Sequence, residues 1–442
     1  MECSRISLLH IRTAEPQVVR EPDMSVSKTT ISRPGRFQRV TERLRLPVWG
    51  VKVGMRVVEL DRPWTETPFL FQGFAIESVE HIEELGKYCQ EVVVEFDHDE
   101  WMPATERGVL TPPASRNAYE YHAATPRDYG NAGTVVSASQ SLTRSLMDDV
   151  RLGKAIDIKE IKATVSAAVK SIIDSPDAMQ WMQKVRDRSQ YTAEHCVNVG
   201  LLAISFGRHL GYSEEDLNTI GTAGMLHDVG KALTPIEILH KDGALNAEEF
   251  LIMRNHTTDG RNILIGQPDV DPTWVDSAYS HHEALDGTGY PRKIKASGIT
   301  DLTRIITICD VYDAITSDRC YRNGQSSLRA MDVLNREAGL KFDTRLVEEF
   351  VRCIGLYPTG SVVELRNGAH GIVVGTNYRN RRLPRVLVVR GEDQQACEER
   401  IVDLQRVSGV DGQEGWLIRT VVPNGRLGIR VEEYVRRGLS IS

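Results

Sequence analysis

Hydrophobic residues follow different rhythms in successive parts of this chain. Between Leu46 and about residue 105 they fall in short runs, VKVGMRVVEL, FLFQGFAI and EVVVEFD, broken by Asp61-Arg62-Pro63 and by other Gly and Pro positions. That pattern predicts a small β-rich or α/β domain. Residues 1–45 are polar and Arg-bearing (SRPGRFQRVTERLR) and predict a flexible start. Residues 106–135, rich in Pro, Ala and Gly, read as a linker. The period then lengthens. Ile158, Ile161, Val165, Val169 and Ile172 recur at steps of three and four, one apolar face of a helix. That stripe has two uses open to it, burial against the rest of the chain or pairing of two subunits in a homodimer. CVNVGLLAISFGRHL is apolar nearly all round, as in a helix buried on most sides, and it stops at Gly211. Ser213 with Asp216, and Asn246 with Glu249, place acceptors where helices start. DLTRIITICDVYDAITS, residues 301–317, forms another apolar helix. Connecting helices over 136–185 and an all-α domain over 186–357 follow from this.

After Pro358 the rhythm shortens again. SVVELRNGAHGIVV, RVLVVRG and GWLIRTVV predict strands separated by NG, RN and DG turns, a β-rich extension over 358–442. The expected architecture is therefore multidomain and mainly α, with a β-rich domain before the helices and a β-rich segment after them. The basic stretch Tyr378–Arg385 (YRNRRLPR) reads as a solvated hairpin tip, with partner docking or substrate approach as the alternative.

Composition narrows the function classes. With 41% hydrophobic and 26% charged residues, the chain has ample core material. A net charge of −7 gives no electrostatic reason to expect nucleic acid as a partner. Seven scattered cysteines with no CxxC pair point to reduced thiols, and no apolar run is long enough for a membrane. A cytoplasmic protein is expected.

The candidate chemistry lies in the helical region. His195, His227, His256, His281 and His282 all sit on or beside apolar helices. His256 shares a face with Ile252, Gly260 and Ile263. Asp310 follows Ile306 by four on a helix with little polar surface, and His227-Asp228 closes the apolar run AGML. A buried carboxylate is costly unless something positive meets it. Neutral imidazoles and carboxylates converging in an apolar domain suggest one shared partner, a divalent transition metal or two. His209 and His240 flank helix ends and are expected to be exposed.

HDVGK at 227–231, HHEALDGTGYP at 281–291 and CDVYDAITSDRCYR at 309–322 resemble the HD-GYP family, bacterial phosphodiesterases of the second messenger cyclic di-GMP. The resemblance spans about residues 185–360. It implies an HD-type helical bundle that hydrolyses cyclic di-GMP to linear pGpG, and on to GMP if a second step occurs. LDRPWTETPFLFQGF also resembles an accessory domain of unassigned function often fused to this family. By resemblance, His195, His227 and Asp310 would hold one ion and His256, His281 and His282 another, with Asp228 bridging both. Fe or Mn suits the site best, with Ni, Co and Zn as further candidates. The pair would activate water as hydroxide. Lys231 would bind a phosphate oxygen or assist the leaving group. Arg319 and Arg322 match positions that grip the substrate phosphates.

In the turn, Gly287 and Gly289 would permit backbone close to the ligand and a positive φ, and Pro291 would stiffen the lip. Tyr290 would either stack on a guanine or simply pack the loop. Glu283 and Asp286 would orient histidine rings or brace the turn. Some members carry a Glu four residues before the first histidine that holds a third ion; here Tyr191 stands there, so two ions are expected. Glu194, next to His195, would point away. Two other classes compete with a cyclic di-GMP phosphodiesterase: a cyclic-dinucleotide sensor without turnover, and a phosphodiesterase of another cyclic dinucleotide. Diguanylate cyclases or other signalling proteins are the protein partners such a role implies.

Overall fold

The computed structural model describes residues 41–48, 51, 53, 55–62, 67, 74–76, 78–97, 119–122, 124–183, 191–317, 324–377, 380–408, 410 and 414–437. The chain divides into two compact units, residues 1–107 with 243–246, and residues 108–242 with 247–442.

Among the described residues, the first unit is an antiparallel sheet and one helix. Strands β1 (Thr41–Pro47), β2 (Arg56–Leu60), β3 (Phe74–Ala75) and β4 (Glu91–Asp97) pair in the order β1-β4-β2-β3, with helix α1 (Val79–Tyr88) between β3 and β4. Val57, Leu85, Val92 and Val94 are fully or almost fully buried and form its core. Strand β1 begins inside the stretch expected to be a flexible start, and it pairs Leu44 with Val94. Its charged TERLRLP sequence hid it, because register against a neighbour, not apolarity, holds such a strand. The expected β-rich character is otherwise what the sheet shows.

The second unit is mainly helical. Helix α2 (Pro126–Arg151) starts within the segment expected as linker. Thr125 and Asp128 form a reciprocal capping box there, and Pro126 takes the first helical position, where its missing N–H costs nothing. Small residues in its first turns had masked the helix. Next come α3 (Ile158–Asp174), α4 (Pro176–Met182), α5 (Tyr191–Leu210) and α6 (Glu214–Leu226). The Ile158–Ile172 stripe is buried inside this chain, and a Cβ at Gly221 of α6 would stand 2.9 Å from Val165. Packing between α3 and α6 therefore accounts for the stripe without a second subunit. Helices α5 and α6 approach through glycines, a Cβ at Gly224 falling 2.7 Å from the Gly200 Cα. Gly211 ends α5 at φ 87°, a left-handed value that suits glycine. Ser213 and Asp216 form the capping box of α6.

A 3-10 turn (Val229–Leu233) and a short α7 (Ile236–Leu239) lead to α8 (Ala247–Ile265), α9 (Pro272–Ser280), α10 (Asp301–Thr316), α11 (Ser327–Glu337) and α12 (Thr344–Ile354). The inward face of α8 carries His256, Gly260 and Leu264, whereas Ile252 is 41% exposed. The first half of α8 runs at the surface, so Ile252 does not share the inward face expected of it.

A five-stranded antiparallel sheet closes the chain: β5 (Val362–Leu365), β6 (His370–Gly375), β7 (Arg385–Arg390), β8 (Ala396–Asp403) and β9 (Ile418–Val422), in the order β8-β7-β6-β5-β9. Val363, Leu365, Val373, Val386 and Val388 form its core. The edge strand β8 (ACEERIVD) is largely exposed and charged, as edges that avoid aggregation tend to be, and its polarity conceals it in the sequence. A short helix, α13 (Leu404–Val407), and a terminal one, α14 (Val431–Arg437), complete the unit. Buried Asp177 of α4 ties the sheet to the helices, accepting from the Thr376 N–H and hydroxyl at 3.0 Å each. Among the described residues no helix is long and apolar enough to cross a membrane.

Candidate metal centre

Five helices and one tight turn bring the histidines together. His195 lies on α5, His227 ends α6, Asp228 opens the 3-10 turn, His256 is on α8, His281 and His282 follow α9, and Asp310 is on α10. All seven offer ligand atoms into one buried space. Asp228, His256, His281 and His282 form one cluster, and His195, His227 and Asp310 another, the atoms of each lying within 4.8 Å of one another.

Asp228 stands between them. Its Oδ1 is 3.3 Å from His256 Nε2 and 3.6 Å from His281 Nε2. Its Oδ2 is 3.3 Å from His227 Nε2 and 3.6 Å from His195 Nε2. Each carboxylate oxygen thus faces one cluster. Lys231, one turn on, also donates its ammonium to Oδ2.

The ring tautomers follow from the outer hydrogen bonds. His227 Nδ1 donates to the Gly224 carbonyl at 2.7 Å, His256 Nδ1 to Met253 at 2.6 Å, and His281 Nδ1 to Ala278 at 3.0 Å. His195 Nδ1 meets the Asp313 carboxylate at 2.8 Å. Carbonyls only accept, so those rings carry their proton on Nδ1 and turn the Nε2 lone pair inward. His256 and His281 then present lone pairs to each other across 3.3 Å. His195 Nε2 lies 3.0 Å from Asp310 Oδ1. His227 Nε2 and Asp228 Oδ1 are buried with no hydrogen-bond partner among the described residues. Acceptors converging on acceptors in a buried space are stabilised by a cation, and imidazole with carboxylate is a donor set for divalent transition metals. The residues fit such ions.

Electrostatics agree. Burial pushes His256 down to about 3, against the pull of Asp228. Burial also lowers His227, and burial with the neighbouring His281 and His256 lowers His282, so these rings stay neutral at pH 7 and available as ligands. Burial alone would raise Asp228 and Asp310. The charge of Lys231 and the contacts of His227 outweigh it at Asp228, and hydrogen bonding to His195 outweighs it at Asp310. Both carboxylates stay ionised.

Several supports were not legible as such in the sequence. Asp313 lies three residues after Asp310 on the same face of α10; that i,i+3 spacing was the available signal. Gly230 lets the turn carrying Asp228 seat on α8, since a Cβ there would stand 1.9 Å from the His256 carbonyl oxygen and 2.4 Å from the Gly260 nitrogen. Thr307 donates to the His281 carbonyl at 2.9 Å.

The turn after His282 braces itself. Buried Glu283 accepts from the N–H groups of Arg292, Lys293 and Ile294 at 2.6, 3.1 and 3.2 Å. Asp286 accepts from the Thr288 N–H and hydroxyl. In these contacts both carboxylates brace the loop. Gly287 adopts φ 82°. Gly289 does not need a positive φ; a Cβ there would lie 2.4 Å from Ala284 N, so its demand is close approach to its own chain. The Tyr290–Pro291 bond is cis. The Tyr290 ring lies 4.8 Å from the His282 ring, and the Arg254 guanidinium sits 4.6 Å over it. These contacts pack the ring between the turn and α8.

Arg319 and Arg322 lie outside the described residues. Glu194 is buried beside His195 but belongs to neither cluster. His240 is exposed as expected. His209 is not: it is partly buried and its Nε2 lies 2.9 Å from Glu349, because α12 packs over the end of α5.

The HD domain family profile matches residues 172–346, and that of a domain of unknown function (DUF3391) matches residues 43–161. The chain is 30% identical over 390 residues to the cyclic di-GMP phosphodiesterase PA4108 of Pseudomonas aeruginosa, covering 85% of this chain and 94% of the relative. It is 36% identical over 191 residues to the 3'3'-cGAMP-specific phosphodiesterase 1 of Vibrio cholerae, covering 42% of this chain and 43% of that protein. A cyclic di-GMP phosphodiesterase of Thermotoga maritima shares 35% over 166 residues, covering 37% of this chain and 45% of that protein.

Proposed function

Because the chain belongs to the HD-GYP family of cyclic di-GMP phosphodiesterases, we propose that this centre opens cyclic di-GMP to linear pGpG, with further hydrolysis to GMP as a second step. The observation that carries the reading is the division of Asp228 between two clusters of inward-turned donors. His195, His227 and Asp310 would hold one divalent ion and His256, His281 and His282 the other, with Asp228 reaching both. When bound, the pair supplies a strong nucleophile from water at neutral pH and neutralises phosphate charge. Fe or Mn suits a thiolate-free set of imidazoles and carboxylates, and Ni, Co or Zn would also be accepted.

The chain's own groups do the rest. Asp313 holds the His195 ring in register. Lys231, about one-fifth exposed and touching Asp228, stands at the rim of the pocket, where its ammonium would take a non-bridging phosphate oxygen. Tyr290 on the turn and Arg254 on α8 pack beside His282, and Glu283 braces the turn that carries Tyr290. By the family resemblance, Arg319 and Arg322 would grip the substrate phosphates.

The test is anaerobic incubation of Mn- or Fe-loaded protein with cyclic di-GMP, followed by chromatography of products. Linear pGpG is expected, and His227→Ala should abolish it. Tight binding with no product after hours would overturn catalysis and favour a sensor. A second reading of the substrate has support in the 36% identity to a 3'3'-cGAMP-specific relative. Faster turnover of 3'3'-cGAMP than of cyclic di-GMP in competition would establish it.

A further inference from the structure

A second cavity lies away from the histidines. It occupies about 790 Å³ between α4, the C-terminal ends of α5 and α12, and the loop after β6. Arg208, Arg352, Arg381, Arg382, Gln180 and Tyr121 line it, and none of the seven candidate ligands does. Arg208 and His195 share α5, which at 1.5 Å per residue separates them by roughly 20 Å along the axis. Its size is that of small-molecule sites.

Its charges do not cancel. The lining carboxylate, Asp177, is already engaged by the Tyr121 hydroxyl and by Thr376 N–H and hydroxyl. Arg352 is paired with Glu349 at 2.7 Å. Arg381 donates to the neutral carbonyl of Cys353, and Arg382 is exposed. Among the described residues neither has a carboxylate within ion-pair distance. The lining also holds an orphan acceptor: the Gln180 carboxamide oxygen is buried and has no hydrogen-bond partner among the described residues. Such orphans are uncommon and call for a donor. Guanidinium groups and a buried acceptor lining one cavity match a ligand that carries both an anionic group and an N–H.

We propose that this cavity is a second, non-catalytic site for a nucleoside monophosphate, with Arg381 and Arg382 on the phosphate and Gln180 accepting from the base. Guanidinium forks suit phosphate oxygens, and a base N–H supplies what Gln180 lacks. The basic tip of YRNRRLPR thereby gains a role beyond solvation.

Calorimetric titration of the metal-free full chain with GMP, and separately with inorganic phosphate, tests this. Saturable GMP binding is expected, weakened about tenfold or more by Arg382→Glu, a surface change that leaves the fold intact. Gln180→Leu should weaken GMP more than phosphate, and His256→Ala should leave GMP binding unchanged. No saturable binding in the millimolar range overturns the proposal. So does binding that survives Arg382→Glu but is lost in His256→Ala, or a Gln180→Leu effect equal for both probes.

Discussion

Gly230→Ala tests whether the position of α8 sets the metal centre. The added Cβ would stand 1.9 Å from the His256 carbonyl oxygen and 2.4 Å from the Gly260 nitrogen, both main-chain atoms of a helix that has no rotamer to yield. Helix α8 would have to retreat by about 1 Å before the shorter contact reached 3.0 Å, a distance real Cβ atoms rarely undercut. Ligand distances tolerate only about 0.2 Å. Overpacking of this kind costs about 1–3 kcal/mol, which leaves a domain of this size folded. The displaced group belongs to the cluster of Asp228, His256, His281 and His282, whereas His195, His227 and Asp310 lie on other elements. The expected result is a folded protein that retains one ion per chain where the wild type retains two, with cyclic di-GMP hydrolysis lost. Elemental analysis, a thermal melt and a product assay on one preparation read all three. Gly130→Ala, where a Cβ meets nothing within 4 Å, is the control and should match the wild type. Two ions and full activity in Gly230→Ala would refute the reasoning.

Three further outcomes follow from the same geometry. Glu283→Gln removes the charge that three N–H groups share and turns an amide donor toward one of them; at about 1.5–3 kcal/mol per charge-assisted bond, the turn at 284–294 should exchange its amide hydrogens faster and KM should rise while metal content stays at two. Unchanged exchange there would remove the bracing role. Asp313→Asn keeps an acceptor for His195 Nδ1 but loses the charge, so metal affinity should fall about 10- to 100-fold with the fold intact, measured by chelator competition. Metal-free protein should be acid-sensitive. His256 is depressed from 6.5 to about 3, so between those values the unfolded chain binds the proton that the folded chain refuses. Stability is therefore lost as pH falls through that window, at up to about 1.4 kcal/mol per pH unit from this ring alone, and a Tm flat from pH 7 to 5 would contradict it.

The sequence carried the ligand set because HD and HH pairs in apolar helices are chemically conspicuous, and the structure brings all seven side chains together. It carried the helical domain because long-period stripes such as Ile158–Ile172 are strong signals. What it concealed was of two kinds. Charged elements held by partners, β1 and β8, show little apolar pattern, and the small residues at the start of α2 imitate a linker. Positioning groups look ordinary in one dimension: Asp313 is a polar residue on an apolar helix, and Gly230 and Glu283 acquire their roles only from the neighbours that folding supplies. Ile252 and His209 were misplaced for that reason, since the surface start of α8 and the packing of α12 on α5 are tertiary facts.

The most direct test of a divided Asp228 is metal counting on anaerobically purified wild type and Asp228→Asn, with cyclic di-GMP turnover measured on the same samples. Replacing one carboxylate oxygen with a donor should lower the content from two ions per chain and abolish pGpG formation. Two ions and undiminished turnover in Asp228→Asn would show that this carboxylate does not join the clusters.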